Sequence, residues 1–180
     1  MDDRNYTGNI QSNLGRIGQG VFSMENTITL DPVVKGEMLI RRPVAEVYEA
    51  FINPAITTKF WFSKSSGRLE PDQQGQWDWE MYALSVQVSA KEMEANRRIL
   101  IEWSMFGTSI VEWIFTRIED NATFVSISST GFQGDMDEVV EKVLGCTEGF
   151  ALVLAGLKAY LEHGIILNLV SDRFPDQKIE

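Results

Sequence analysis

Two glutamates, Glu102 and Glu112, each stand directly before a tryptophan on apolar segments that read as neighbouring strands. Two carboxylates meeting on one dry face would repel each other and push one pKa toward the range of a general acid. Strand alternation opposes that chemistry: if Trp103 and Trp113 point inward, Glu102 and Glu112 point outward into water. His163, the only histidine, falls in the last turn of a predicted helix, where the carbonyl end favours a positive charge, so it reads as an end-capping group rather than a base. Cys146, the only cysteine, lies on an apolar stripe with no second histidine to activate it, and reads as a small buried hydrophobe. One histidine and one cysteine cannot build a usual zinc site, and the acidic residues show no calcium-loop spacing, so no metal is expected. No Ser-His-Asp set can be drawn except through His163, and there is no dinucleotide fingerprint. Gly15, Gly18 and Gly20 follow no strand and precede no Lys-Ser pair, which argues against a phosphate loop. The residues therefore assign no catalytic group and no cofactor.

What the chain does concentrate is aromatic surface. In NPAITTKFWFSK, residues 53–64, Phe60, Trp61 and Phe62 are consecutive, and neither a helical nor a strand period buries three successive rings on one side. They are expected to form part of the wall of an internal pocket. Of the five tryptophans, Trp77, Trp79, Trp103 and Trp113 fall on predicted strands where they can face one concave side, with Trp61 closing the rim. Together with Phe60, Met81, Phe115 and the helical Phe150, Val153 and Leu157, they are the candidate ligand-binding residues. Taken singly, each is better explained by an ordinary core than by a ligand contact. Their collective excess argues for a cavity, because large flat rings seldom tile a small core without voids.

The elements that must position these rings are legible in order. VVKGEMLI (33–40) is a strand, and Pro43 opens a helix whose Val44, Val47, Tyr48 and Phe51 share one face. Asn53-Pro54 then starts a second short helix ending in the aromatic triplet. GQWDWEM alternates Trp77, Trp79 and Met81 against polar neighbours, and LSVQVSA, RILIEWS, TSIVEWIFTRI and TFVSISS follow as strands with short, antiparallel connections. Asp135 with Glu138 marks the start of one long helix. Its apolar series runs Val139, Val143, Cys146, Phe150, Val153, Leu157 and Tyr160, beside a second row of Met136, Val140, Leu154 and Leu161. Gly145, Gly149 and Gly156 interrupt it, a cost accepted where close approach or a bend is wanted, and Gly164 stops it. Residues 1–31 have tail composition, 32–164 form one domain, and 165–180 are a short extension whose apolar first half is expected to dock before the chain frays.

At 180 residues, with 44% apolar and 23% charged, the chain has ordinary globular usage. Its formal charge of −10, from 26 acidic and 16 basic residues, repels phosphate backbones and anionic headgroups, so neither nucleic acid nor membrane insertion is expected. A single cysteine, an N-terminus without an apolar signal core and the lack of a spanning apolar run point to a cytoplasmic protein.

RRPVAEVYEAFINPAITTKFWFSK, VEWIFTRIEDNATFVSISSTGF and TEGFALVLAGLKAYLEHG, in this order, resemble the START-like helix-grip superfamily, SRPBCC. The likeness is greatest to the branch named for the activator of the heat-shock ninety ATPase, and it covers residues 33–164. It implies an α+β fold in which a curved antiparallel sheet of six to seven strands wraps a long C-terminal helix, with two short helices after the first strand. It also implies a cavity between sheet and helix that in many relatives holds a lipid, polyketide or other apolar molecule. The expected function is therefore binding of a hydrophobic small molecule. The alternatives are a cyclase- or hydrolase-type enzyme using the same cavity and a cochaperone-like module, and a homodimer is left open.

Overall fold

The computed structural model describes residues 31–175, so the tail read over residues 1–31 lies, apart from Asp31, outside the described residues. The chain runs β1 (Val34–Ile40), α1 (Val44–Ile52), α2 (Pro54–Thr57), β2 (Lys64–Ser65), β3 (Gln74–Trp79) and, after a 3-10 turn at Glu80–Tyr82, β4 (Leu84–Glu94). It continues through β5 (Arg98–Trp103), β6 (Ser109–Glu119), β7 (Ala122–Thr130), α3 (Met136–His163) and α4 (Leu169–Asp172). All strand pairs are antiparallel in one curved seven-stranded sheet of order β1-β7-β6-β5-β4-β3-β2, with α3 packed along its concave side. This is the α+β architecture expected from the sequence.

Local chemistry sets the boundaries. The Asn53 side chain accepts a hydrogen bond from the Ala55 amide at 3.1 Å, and Pro54 occupies the first helical turn of α2. At the start of α3 the Asp135 carboxylate accepts from the Glu138 amide at 3.0 Å, and Glu138 accepts in return from the Asp135 amide, a full capping box. Gly164 ends α3 at φ 68°, a left-handed conformation that costs glycine nothing. The far end of α3 is clamped to the β1–α1 corner. Lys158 Nζ donates to the Leu39 carbonyl at 2.7 Å and to Glu162 at 2.5 Å, and Glu162 also accepts from the Arg41 amide at 2.7 Å.

Glycines set how closely α3 approaches its neighbours. A Cβ on Gly36 of β1 would sit 3.0 Å from Phe150 Cβ, and one on Gly156 would sit 3.1 Å from Phe60 Cβ and 3.4 Å from the Phe60 carbonyl oxygen. A Cβ on Gly145 would meet nothing within 4 Å.

Three expectations are corrected. Met81 is not on the strand: the chain leaves β3 after Trp79 in a tight 3-10 turn closed by Ala83 in the left-handed region (φ 48°), so the apolar alternation outlasts the strand itself. The second apolar row of α3 is buried only in its later half, since Leu154 is fully buried while Met136 and Val140 are 49% and 44% exposed. In the first turns only a narrow face, with Val139 and Cys146, reaches the core. The apolar start of the extension, Ile165 to Leu167, stays about half exposed, and Val170 of α4 makes the docking contact instead.

Two stability measurements follow from this packing. In thermal or urea unfolding, Gly156→Val is expected to lose about 2 kcal/mol through overpacking against Phe60, whereas Gly145→Ala on the same helix gains up to about 1 kcal/mol. The same sign at both sites would refute the close-approach account. Burial alone would raise the Glu162 pKa, but the Lys158 ammonium and the Arg41 amide outweigh it and hold the carboxyl below its ordinary value. Its stabilising effect is therefore present above the unfolded-state carboxylate pKa and lost as pH falls through the lowered folded value. Glu162→Gln is expected to cost about 1 kcal/mol at pH 7, with the difference from wild type closing toward pH 3; a difference independent of pH would contradict the clamp.

Candidate functional site

The aromatic triplet sits where the chain is neither helix nor strand. After α2 the backbone turns through Thr58 to Phe60, with the Phe60 and Trp61 amides both donating to the Thr57 carbonyl, at 3.2 and 3.0 Å. The Thr57 hydroxyl, fully buried, ties this turn to the Ala50 carbonyl at 2.6 Å. Freed from any period, the three rings diverge and all are buried. Phe60 packs edge-on to Phe51 and faces Gly156, while Phe62 stacks on Trp77 with centroids 4.7 Å apart.

Trp61 is not at the rim. It is the hub of the indole cluster, with centroids 5.1 Å from Trp77, 5.9 Å from Trp113, 6.3 Å from Trp103 and 6.4 Å from Trp79. Strand register places the partners: Trp77 opposite Val86, Val88 opposite Trp103 and Ile99 opposite Trp113 bring the rings to the concave face.

A cavity of about 280 Å³ opens beside this cluster. Trp61, Trp79 and Trp103 form the sheet-side wall, and Phe150 and Val153 of α3 form the floor, with Phe150 stacked on Trp103 at 6.4 Å. Trp77, Trp113, Phe115 and Leu157 do not border it; they pack behind the wall in the core. Phe60 and Met81 border a separate hollow of about 120 Å³.

Several lining residues went unnoticed in the sequence. Phe106 comes from the β5–β6 connection and Tyr82 from the 3-10 turn. Gly145 and Gly149, one helical turn apart, leave a trough on α3, and Arg173 and Phe174 of the C-terminal segment supply the remaining wall. The paired glycines are the one signal that was readable, as a groove rather than a kink. Arg173 Nη1 donates to the Gly145 carbonyl at 3.1 Å, its Nη2 pairs with Glu148, and its guanidinium lies 4.7 Å from the Phe174 ring centre.

The polar groups at the cavity are few. The Tyr82 hydroxyl donates to the Val170 carbonyl at 2.6 Å and accepts from the Phe174 amide at 3.3 Å. Burial pushes the Cys146 thiol up to about 12, with the Ser129 hydroxyl and Arg173 only partly opposing it, so the sulfur stays protonated near neutrality. Glu102 and Glu112 lie on the opposite face of the sheet: Glu112 accepts from Arg98 Nε at 2.6 Å and Glu102 pairs with Lys91 at 3.5 Å. The His163 side chain is 64% exposed at the end of α3. Among the described residues no cluster of histidine, cysteine and acidic side chains is arranged to hold a metal, and no helix is long and apolar enough to cross a membrane.

Solved structures share this architecture. A protein from Staphylococcus saprophyticus is 29% identical, with a TM-score of 0.66, over 76% of this chain and 96% of its own. A protein of the dynemicin biosynthetic locus is 21% identical with a TM-score of 0.66, over 76% of this chain and 49% of its own. An Aha1 dimer from Colwellia psychrerythraea, solved in solution, is 16% identical with a TM-score of 0.64, over 74% of this chain and 98% of its own. No curated protein matches the sequence. The profile of the Activator of Hsp90 ATPase homolog 1-like proteins matches residues 41–162, from the β1–α1 corner to the last turn of α3, and the chain belongs to that family.

Proposed function

We propose that the protein binds an uncharged, ring-containing small molecule in the cavity walled by Trp61, Trp79, Trp103 and Phe150. The observation that carries this reading is the cavity itself, about 280 Å³ and lined mainly by apolar side chains. An apolar cavity of about 150 Å³ suffices for benzene, so this one has room for two or three fused or linked rings. Indole faces offer stacking surface without demanding a specific hydrogen-bond pattern. Among the described residues Arg173 is the only charged side chain at the wall, and Glu148 neutralises it.

A cyclase or hydrolase would need an acid, base or nucleophile at the wall. Among the described residues the titratable groups there are a hydrogen-bonded tyrosine, a thiol held protonated and a paired arginine, which favours binding over turnover.

N-phenyl-1-naphthylamine, a neutral fluorophore of three aromatic rings, tests the reading. At about a hundred times its Kd it is expected to add about 2.7 kcal/mol of stability, a rise of roughly 5–10 °C in Tm. Fluorescence should increase on binding, and its absence together with an unmoved Tm would sink the proposal. Gly149→Leu places a side chain in the trough of α3, where even its Cβ would lie 3.5 Å from Arg173 Nη1; it is expected to abolish probe binding in a variant whose cooperative thermal unfolding shows that the fold stands. Undiminished binding by this variant would put the ligand elsewhere.

A further inference from the structure

The segment after α3 lies beyond the part of the chain that matches the family, yet it forms a wall of the cavity. We propose that residues 165–174 are a hinged strap that opens to admit the ligand and is latched shut by Arg173. The proposal rests on the binding reading above.

Four observations carry it. First, the strap has hinge geometry at its base: Gly164 at φ 68° and Asn168 at φ 53° bracket residues 165–167, which belong to no helix or strand. Asparagine, like glycine, tolerates the left-handed region, so the backbone turns at both ends of this stretch at little steric cost. Second, the strap's apolar grip is limited: Ile165, Ile166, Leu167 and Phe174 are all more than 40% exposed, and its apolar contacts are Val170 on the core, a half-buried Leu169 and the Phe174 ring edge-on to Tyr82 at 5.8 Å. Third, the attachment is mostly polar and concentrated in two residues. Tyr82 receives the Val170 and Phe174 backbone, and Arg173 reaches the Gly145 carbonyl and Glu148. Fourth, the closed latch is imperfect: Arg173 Nε–H is buried with no acceptor among the described residues. An unpaired buried donor opposes closure, and opening returns it to water. Weak apolar attachment, a hinge and an orphaned donor together describe a segment whose closed state is only slightly favoured. That segment walls the cavity between α3 and the 3-10 turn that carries Tyr82.

The test is stopped-flow binding of N-phenyl-1-naphthylamine to the full chain and two variants. Arg173→Met keeps the apolar stem and removes every latch bond. Glu148→Ala removes one exposed partner from outside the cavity. Association and dissociation rates are both expected to rise, about tenfold for Arg173→Met and about two- to fivefold for Glu148→Ala, with affinity changing less than either rate. The double variant should be no faster than Arg173→Met, because both substitutions break the same latch. Probe binding at wild-type rates in both single variants would overturn the strap while leaving the cavity reading standing. Failure of the probe to bind the wild-type chain would overturn both. If Arg173→Met does not fold, the surface variant Glu148→Ala decides alone.

Discussion

Burial of three consecutive aromatic rings is the constraint from which the rest of this structure follows. A helix or a strand would expose at least one of Phe60, Trp61 and Phe62, so the backbone there has to be irregular, and its amides must find partners outside regular secondary structure. The Thr57 carbonyl accepts from the Phe60 and Trp61 amides, and the Thr57 hydroxyl, donating to the Ala50 carbonyl, ties the turn to α1. The turn so anchored sends Phe60 toward Gly156, Phe62 onto Trp77 and Trp61 between sheet and helix. With an indole at that centre, α3 and the sheet meet closely on the β1 side, where Gly36 and Phe150 touch, and stand apart on the β3–β5 side, where the cavity lies.

The helix is built for this unequal contact. Its glycines do different work: Gly156 lets Phe60 approach, while Gly145 and Gly149 form a trough that takes Arg173 and leaves part of the cavity open. Side chains at both positions would add helix propensity, but large ones would crowd the Arg173 guanidinium. The fold thus forgoes stability at the place where a guest could be held, whereas the clamp of Lys158 and Glu162 on the β1–α1 corner fixes the other end of α3.

Charge is kept away from the hollow. The chain carries a formal charge of −10, but the charged side chains of β4 to β6 pair on the outer face of the sheet, where Arg98 meets Glu92 and Glu112 and Lys91 meets Glu102. Inside, an aromatic wall and a neutralised arginine present a low-polarity surface to any occupant. Exclusion of carboxylates from the wall follows from strand alternation, because a tryptophan facing in obliges its neighbouring glutamate to face out.

The sequence alone determined the order of elements, the antiparallel meander, the capped long helix and the inward placing of Trp77, Trp79, Trp103 and Trp113, since these depend on periodicity and end chemistry within a few residues of each other. It could not tell which of those rings border empty space, because Trp103 and Trp113 carry the same alternation signal while one lines the cavity and the other is packed behind it. Nor could it place Trp61 at the hub or Met81 off the strand, because the backbone of a turn obeys no period. The wall made by Arg173 and Phe174 was hidden for a different reason: its partners, Tyr82, Gly145 and Glu148, are distant in the chain, and only the tertiary structure brings them together. Local rules set which way each side chain points, but the separation between two packed elements is a sum over all their contacts, and a cavity exists only in that separation.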